Sequence, residues 1–587
     1  MNLRSWNPER ARHSRKGMPA ALLPALALAL PITASSAAAE SAAIRARQGM
    51  VVSQSAIASE VGAQVLRDGG NAVDAAVATA FALAVTHPTA GNIGGGGFLV
   101  WRPASGEPLA YDFREKAPAA AHPEMWLDDN GEYSFQIHHL SHKAVGVPGT
   151  VAGLRLAWEE QGSMPWESLV RPAVELARDG FRISHGLAGS LARVLERMAP
   201  YPASVAQFSK EGTPYAPGEI LRQPDLAASL DRILENGSAG FYEGETAELL
   251  AAEMAANGGL ITLEDLKNYR AVVREPIRGE YRGYEILSMP PPSSGGTAMV
   301  QMLNILEGYD IAGNGFGSAA NMHVMAEAMR RAYADRALHL GDPDFNPGIP
   351  IARLTSKDYA EDLRATIDEE RASVSSPESF EWTTESSETT HFSVVDKDRN
   401  AVSLTYTLEF GYGSGIVVPG AGFLLNNEMG DFNGAPGLTN ERGLIGTDPN
   451  LAEPNKRMLS SMSPTIVAKD GALFMVTGTP GGRTIINTVM QTILNVVDHG
   501  MNAQEAVDAG RMHHQWLPDQ IRYEKQMFSP DTLSILESYG HRLSETEAQG
   551  AAEVIVVLRD EGVLEGGVDQ RRADGGAAVH DEDPSEN

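Results

Sequence analysis

A threonine pair marks the place where this chain could carry a nucleophile. Thr389 and Thr390 follow a polar stretch, residues 373–388, that has no apolar period, and a strand pattern begins abruptly at Thr389. A threonine hydroxyl at such a junction could attack the carbonyl of Glu388, and cleavage would leave a free α-amine beside the hydroxyl. One residue would then supply both nucleophile and base. The alternative is that two β-branched residues simply begin a strand, which is common.

The residues after the pair predict a hairpin that brings hydroxyl groups together. Two runs rich in β-forming residues flank a polar connection at 396–400, which is typical of a hairpin. With the loop centred near Asp398, Thr389 is expected opposite Thr407, with Thr405 as its diagonal neighbour on the same face. We therefore expect three hydroxyls to converge at one strand end.

Two glycines further along indicate an anion site. Gly481 and Gly482 stand just before a run of apolar residues with helical spacing, 485–497. Unpaired backbone N–H groups and the positive end of the helix dipole favour an anion there. The two amides could form an oxyanion hole for acyl transfer. The structural alternative is a Gly–Pro turn that connects a strand to a helix.

Carboxylates and hydroxyls follow the hairpin in two clusters. Residues 422–427 predict an apolar strand, which runs into a group of amides and carboxylates that includes Glu428 and Asp431. A serine pair, Ser460 and Ser461, stands beyond it, before two further predicted strands.

These segments, in this order, resemble the γ-glutamyltranspeptidases, a family of N-terminal-nucleophile hydrolases. The resemblance covers nearly all of the chain after about residue 45. It also rests on DGGNAVDAA at 68–76, HPTAGNIGGGGF at 87–98, DFRE at 112–115, PGTVAG at 148–153, PPPSSGG at 290–296, AYADR at 332–336, GDPDF at 341–345 and DGGAA at 574–578.

The resemblance implies an α+β fold, the αββα four-layer sandwich of N-terminal-nucleophile hydrolases. Two chains cut from one autoprocessed precursor would build it: residues 40–388 as the large subunit and 389–587 as the small subunit, intertwined in one domain. Helical patterns at 71–84 and 319–340 suit its outer layers.

The resemblance also implies roles for the hydroxyl groups. Thr389 would attack the carbonyl of Glu388 in the precursor, and then the γ-amide carbonyl of a glutamyl donor such as glutathione. Thr405 would orient that hydroxyl, Thr407 would support the amine, and the two glycine amides described above would hold the oxyanion. Water would release the γ-glutamyl group in hydrolysis, and an amino acid or peptide amine would accept it in transfer.

The donor site must bind a zwitterion, with one carboxylate and one ammonium group. Arg114 matches the family position that pairs with the donor α-carboxylate, for which a planar guanidinium is suited. Taken alone, an arginine between Asp112 and Glu115 is more often a structural ion pair. The other residues implied are Ser460 and Ser461 for the carboxylate, and Asp431, Glu428 and Glu409 for the ammonium.

Three positions differ from patterns typical of the family. Glu409 stands where many members have asparagine, and Glu428 where some have glutamine. In the loop between 431 and 460, expected to cover the pocket, Arg442 occupies the place of a gating tyrosine. The nearer rival function is that of a glutaryl-cephalosporin (β-lactam) acylase, which shares the fold but needs no ammonium site. A more distant one is an unprocessed, catalytically silent binding protein.

Composition limits the remaining possibilities. The 587 residues contain no cysteine, which excludes disulfides and thiolate chemistry, and no His-Glu-x-x-His motif supports zinc hydrolysis. The cluster of His138, His139 and His142 predicts a polar loop, with metal binding as the alternative. A net charge of −29 argues against a nucleic-acid partner. We expect small-molecule substrates and no metal or organic cofactor.

The first residues predict a targeting segment. Basic residues precede an apolar stretch at 19–31, and 37–39 offers an A-x-A cleavage site. This stretch is too short to span a bilayer. We expect a signal peptide at 1–39, export to the periplasm, with secretion as the alternative, no membrane span, and an acidic, disordered tail at 581–587.

Overall fold

The computed structural model, which describes residues 42–375, 389–438 and 446–581, has two large sheets at its centre. The strands in these ranges are β1 (Ile44–Ala46), β2 (Gly49–Ser53), β3 (Gly96–Arg102), β4 (Leu109–Phe113), β5 (Phe181–Arg182), β6 (Ile220–Leu221), β7 (Val272–Arg274), β8 (Ile277–Tyr281), β9 (Tyr284–Ser288), β10 (Thr390–Val395), β11 (Ala401–Thr407), β12 (Thr465–Lys469), β13 (Ala472–Gly478), β14 (Met512–His513), β15 (Ile521–Glu524), β16 (Leu543–Thr546), β17 (Glu553–Leu558), β18 (Val563–Val568) and β19 (Gly576–His580).

Both large sheets are antiparallel throughout. The first has the strand order β1-β18-β17-β13-β12-β9-β8, and the second has the order β19-β2-β10-β11-β3-β4-β7. Smaller sheets join β14, β15 and β16, and β5 and β6. Each large sheet contains strands from before and from after the predicted cleavage point, so the two parts of the sequence share one core.

The helices cover the outer faces of the sheets. They are α1 (Ala56–Arg67), α2 (Ala72–Thr86), α3 (Phe135–Leu140), α4 (Thr150–Gln161), α5 (Trp166–Asp179), α6 (His185–Met198), α7 (Pro202–Phe208), α8 (Pro224–Asn236), α9 (Ala239–Tyr242), α10 (Gly244–Ala256), α11 (Leu263–Asn268), α12 (Gly295–Leu306), α13 (Ile311–Asn314), α14 (Ala319–His339), α15 (Ile351–Leu354), α16 (Lys357–Arg364), α17 (Thr484–Val497), α18 (Ala503–Asp508) and α19 (Pro530–Ser538). No helix in the described ranges has both the length and the apolar character that a membrane span requires.

Side-chain alternation in the strands creates four layers. Val394 and Tyr406 of the second sheet pack in one core with α2 and α5. On the opposite faces, Val52 of β2 shares a second core with Val476 and Val554 of the first sheet, which α12, α14 and α17 cover on its outer side. The predicted αββα sandwich is confirmed.

The helices predicted from apolar periodicity are confirmed. Capping residues stabilise the first turn of two of them. Asn71 caps α2 in a capping box with Asp74, and Ser318 caps α14. The helix predicted at 485–497 is α17. The structure also contains the predicted hairpin, as β10 and β11.

Two predictions of local structure are wrong. Residues 422–427 form no strand: the backbone bends at Gly422, which has φ +72°, and an isolated bridge between Val417 and Leu424 is the only β pairing described there. The predicted polar loop at 138–142 is replaced by helix α3 and a 3₁₀ turn, His142–Ala144. Ser134 starts α3 by accepting a hydrogen bond from the Ile137 N–H at 3.3 Å.

Several predicted features lie outside the described residues. These are the signal peptide at 1–39, the carbonyl of Glu388 at the predicted cleavage site, Arg442 in the loop over the pocket, and most of the acidic tail at 581–587.

Candidate active site

The predicted nucleophile lies at the start of β10, on the face between the two sheets. The β10–β11 register pairs Thr390 with Tyr406 and His391 with Thr405, which places Thr389 opposite Thr407, as predicted. The Thr389 hydroxyl donates a hydrogen bond to the Thr407 hydroxyl at 3.5 Å. Only 4% of Thr389 is exposed. The hydroxyls of Thr389 and Thr407 therefore meet, whereas the described partner of the Thr405 hydroxyl is His391; the role predicted for each threonine stays a prediction.

A histidine that sequence reasoning did not select lies behind the threonines. His391 Nδ1 is 2.8 Å from the Thr405 hydroxyl, and its Nε2 is 3.1 Å from the Ser393 hydroxyl. Burial lowers the pKa of His391 to about 3, so the imidazole is neutral. A Cβ on Gly478, the last residue of β13, would overlap this ring. The close contact fixes the start of the predicted oxyanion loop beside the nucleophile strand.

The glycine run of residues 94–97 holds the Thr407 end of β11. Asn92 Nδ2 donates to the Thr407 carbonyl at 2.8 Å, and Asn92 Oδ1 accepts from the Gly95 N–H at 2.9 Å and from the Thr150 hydroxyl at 2.7 Å. A Cβ on Gly95 would overlap the Thr407 carbonyl oxygen. Glycine is required there because the two backbones touch.

The predicted oxyanion loop is built on positive φ angles. Gly481 and Gly482 have φ values of +136° and +56°, a region that other residues rarely adopt. Their carbonyls accept hydrogen bonds from the N–H groups of Thr484 and Ile485, both at 3.1 Å. Because C=O and N–H point in opposite directions across a trans peptide, the Gly482 N–H points away from the body of α17. It is thus available to an anion outside the helix.

The predicted donor groups form one buried ionic cluster. Arg114 is fully buried; its Nη1 donates to Glu428 and its Nη2 to Asp431, while Glu115 lies 3.5 Å from Nη1. The groups assigned to the donor carboxylate and to its ammonium therefore contact each other. The structural ion pair weighed for Arg114 is present, but mainly with partners more than 300 positions away.

This cluster has more negative than positive groups. Burial raises the pKa of Glu115 to about 7, against the opposing effect of Arg114. Burial also raises the pKa of Glu428 well above its usual value, and the neighbouring acids add to the shift. Glu115 Oε1 and Glu428 Oε2 have no hydrogen-bond partner among the described residues. The site therefore favours binding a proton or, in place of the proton, another cation.

Glu409 also belongs to this acidic site, because its charge acts on Glu428. Its backbone has φ +76°, and its Oε1 is 3.1 Å from Nδ1 of His139. The His139 ring stacks on Phe410, with centroids 5.5 Å apart. A Cβ on Gly430 would overlap both His139 and Glu409, so the close approach depends on a glycine. Sequence reasoning missed His139, although the histidine-rich stretch was the available signal.

Helix α14 holds the serine pair and the glycine loop. Arg336 Nη2 donates to the Ser461 hydroxyl at 3.0 Å, and its Nε donates to the Ser294 hydroxyl at 2.8 Å. Ser294 in turn donates to the Ser460 carbonyl at 2.6 Å. One turn earlier, the Tyr333 hydroxyl donates to the carbonyl of Arg483. The AYADR motif contained this signal, but its position in the site required the fold.

One group of side chains in the described ranges could hold a metal ion. His323, Glu327 and His541 bring ligand atoms within 4.8 Å of one another. Glu327 already pairs with Arg330 and Arg331, whose positive charges disfavour a cation there. The histidines of the 138–142 stretch do not converge on one point: they contact the Met429 carbonyl, Glu409 and Glu253 separately.

Comparisons with known proteins show which family the chain resembles. The family model for gamma-glutamyltranspeptidase matches residues 58–579. A glutathione hydrolase proenzyme of Escherichia coli is 52% identical over 535 residues, which cover 90% of this chain and 92% of that protein. An acylase ACY 1 proenzyme of Pseudomonas is 38% identical, over 88% of this chain and 91% of its own.

The fold is shared with a solved acylase. The crystal structure of cephalosporin acylase from Bacillus halodurans superposes with a TM-score of 0.81 at 27% identity, covering 92% of this chain and 97% of that one. The extent of the family match and the identity to the glutathione hydrolase proenzyme decide between the two groups. This chain belongs to the gamma-glutamyltranspeptidase family.

Proposed function

We propose that this protein is a γ-glutamyltransferase and glutathione hydrolase that matures by cutting itself before Thr389. The observation that carries the proposal is the acid-rich cluster around Arg114, in the same chain as a buried threonine at a strand start. The first suits a donor with both a carboxylate and an ammonium group. The second suits nucleophilic attack on an amide.

Self-cleavage begins with the Thr389 hydroxyl. The hydroxyl attacks the carbonyl of Glu388, the peptide bond shifts to an ester, and water resolves the ester. The products are a large chain that ends at Glu388 and a small chain that begins at Thr389, joined as a heterodimer through the shared sheets. The relatives named as proenzymes support this maturation.

The mature reaction uses the new terminus as its base. An α-amine titrates near pH 8, so a useful fraction is neutral at working pH and can take the proton of the Thr389 hydroxyl. The oxygen attacks the γ-carbonyl of the donor, and the N–H groups of Gly481 and Gly482 stabilise the oxyanion. The leaving amine takes the proton, and a γ-glutamyl ester remains. Water or an acceptor amine then releases the glutamyl group.

Donor binding replaces contacts within the cluster. The donor α-carboxylate pairs with Arg114 and the hydroxyls of Ser460 and Ser461, while its ammonium approaches Asp431, Glu428 and Glu409. A zwitterion offers both charges at once, so each group freed from the Arg114 pairs gains a new partner. The desolvated charges are then compensated on both sides.

The acylase alternative has a specific observation against it. A glutaryl group has a carboxylate but no ammonium, so nothing in it would neutralise Glu428, Glu409 and Asp431. Unpaired buried carboxylates are costly or become protonated. The acids of this chain therefore favour γ-glutamyl over glutaryl donors.

The test combines protein sequencing with kinetics. Purified protein should yield two chains without a protease, the smaller beginning at Thr389, and should release p-nitroaniline from γ-glutamyl-p-nitroanilide faster when glycylglycine is added as acceptor. Thr389→Ala should remain one inactive chain, whereas the matched variant Thr390→Ala should still cleave. A small chain that begins at Thr390, or an intact active chain, would overturn the assignment of the nucleophile.

The site of action is proposed from the leader. Its basic residues, apolar stretch and A-x-A sequence support export, and we place the mature heterodimer in the periplasm, where it meets γ-glutamyl peptides.

A further inference from the structure

Two serines join the two large sheets near the end of β10 that carries the nucleophile. Ser393 of β10 and Ser403 of β11 are register partners in the second sheet, and both are fully buried. The Ser403 hydroxyl donates to the carbonyl of Thr477 at 3.0 Å and accepts from the N–H of Thr465 at 2.9 Å. The Ser393 hydroxyl donates to the carbonyl of Glu553 at 3.1 Å. We call Ser393 and Ser403 the cross-sheet serines, because these backbone partners belong to β13, β12 and β17 of the first sheet.

These hydrogen bonds require the two sheets to lie close together. Sheets that pack face to face are ordinarily separated by about 10 Å, and apolar side chains fill the gap. Val52, Val476 and Val554 pack between the sheets in this way elsewhere in the core. A serine has a single carbon between its backbone and its hydroxyl, so it reaches the backbone of the other sheet only where the strands approach each other. The close contact of Gly478 with the His391 ring is a second sign of this approach.

Two of the strands that the cross-sheet serines contact support the predicted oxyanion loop. Thr477 is the second-last residue of β13, and the loop follows that strand directly. Strand β17 contacts the same loop, because the Ala551 N–H, two residues before Glu553, donates to the Thr479 hydroxyl at 2.9 Å. The cross-sheet serines therefore hold both of these strands against the strand that Thr389 precedes.

On the second sheet, the cross-sheet serines lie next to the threonines of the site. Alternate residues of a strand share one face, so Ser403, Thr405 and Thr407 form one row along β11, which ends beside the nucleophile. The His391 ring lies between the Thr405 hydroxyl, at 2.8 Å from Nδ1, and the Ser393 hydroxyl, at 3.1 Å from Nε2. Hydrogen bonds thus connect the threonine row with the backbone of the first sheet.

We propose that Ser393 and Ser403 are positioning residues, which set the distance between the nucleophile and the oxyanion loop. This inference rests on the proposed function, in which neither serine contacts the donor or the reacting atoms. An oxyanion hole stabilises the developing charge only when its donors lie at hydrogen-bond distance from the oxyanion. A misplacement of about 1 Å, even from a change far from the reacting atoms, can cost about a hundredfold in rate. Losing a cross-sheet hydrogen bond lets the sheets separate at this end and lengthens that distance.

The experiment measures hydrolysis of γ-glutamyl-p-nitroanilide by the processed enzyme. We expect kcat to fall about tenfold in Ser393→Ala and in Ser403→Ala. KM should stay within about twofold, because donor binding is assigned to the cluster around Arg114 and not to this part of the core. Ser403→Cys fills nearly the same space but hydrogen-bonds weakly. It should therefore lose kcat in the same way without leaving a void.

Ser288→Ala is the matched control. Ser288 is also a fully buried serine, but its hydroxyl donates to the Pro464 carbonyl at 3.1 Å and contacts the Thr465 hydroxyl at 2.9 Å. These contacts connect β9 with the start of β12 and do not cross to the second sheet. The control should lower Tm about as much as either cross-sheet variant and change kcat by less than about twofold.

Maturation provides a second measurement. The cross-sheet variants should convert to two chains more slowly than the wild type, because the same strands hold Thr389 while it attacks Glu388. A variant that has the wild-type circular dichroism spectrum but stays uncut would therefore also support the proposal. Wild-type kcat in both alanine variants, a loss confined to KM, or an equal loss in Ser288→Ala would overturn it. A wild-type protein that never releases p-nitroaniline would instead overturn the proposed function.

Discussion

Replacing Asp431 by asparagine should separate glutamyl from glutaryl donors. In the unligated protein Asp431 pairs with Arg114, and in the donor complex it is proposed to accept from the ammonium. The substitution keeps the shape of the side chain and removes its negative charge. The backbone should stay in place, because Asn450 Nδ2 donates to the Asp431 carbonyl at 2.7 Å and not to its side chain.

The size of the effect follows from the burial of the cluster. Arg114 and Glu428 are almost completely removed from solvent, so the ammonium contact forms in a desolvated site. Losing a charge-assisted contact of this kind costs about 2–4 kcal/mol in kcat/KM. That range is about 30- to several-hundredfold for a γ-glutamyl donor. Glutaryl donors have no ammonium and should lose far less.

The assay measures kcat/KM for matched γ-glutamyl and glutaryl amides on the wild type and on Asp431→Asn. Glu453→Gln serves as the control, since Glu453 is a surface acid of the same region that pairs with Lys456. Equal losses on both donors would show that Asp431 supports the fold and not the ammonium.

Two further predictions concern residues around this pocket. Because burial raises the pKa of Glu115 to about 7 from 4.5, the folded state binds more protons than the unfolded state, and stability falls as pH rises through this interval; Glu115→Gln should reduce that fall by up to ~3 kcal/mol. Urea unfolding of the uncut Thr389→Ala chain, with and without Glu115→Gln, at pH 5 and 8 measures it, and an unchanged difference would contradict the shift. Arg336→Lys should raise donor KM about fivefold with little change in kcat, because Arg336 reaches Ser294 and Ser461 through two separate nitrogens and the single ammonium nitrogen of lysine cannot occupy both positions. Arg331→Lys on the same helix is its control, and a loss confined to kcat would refute a positioning role.

Local signals in the sequence were sufficient for part of the site. The β10–β11 register depends on a short loop and on alternation, so the approach of Thr389 to Thr407 could be derived from a few neighbouring residues. The helix after Gly482 likewise follows from apolar periodicity. In contrast, the strand expected at 422–427 failed because an apolar run does not reveal that Gly422 adopts a positive φ.

The rest depends on contacts between distant parts of the chain. His139 and Glu409 are 270 positions apart, and Arg336 and Ser461 are 125 apart. No local sequence pattern predicts contacts between residues so far apart in the chain. The pairing of Arg114 with Glu428 and Asp431 was obscured further, because the resemblance assigned these groups to opposite ends of a ligand.

The position of β10 within the second sheet affects how the mature protein unfolds and refolds. This strand, which follows the proposed cut, is hydrogen-bonded to β2 on one side and β11 on the other. Cutting before it removes the covalent tether but none of these hydrogen bonds, so refolding changes from a concentration-independent event into an encounter of two incomplete chains. The processed enzyme would persist because it unfolds slowly, not because it can re-form after unfolding. Heat inactivation should therefore be permanent for the cut enzyme at dilutions from which the uncut Thr389→Ala chain still recovers its fold.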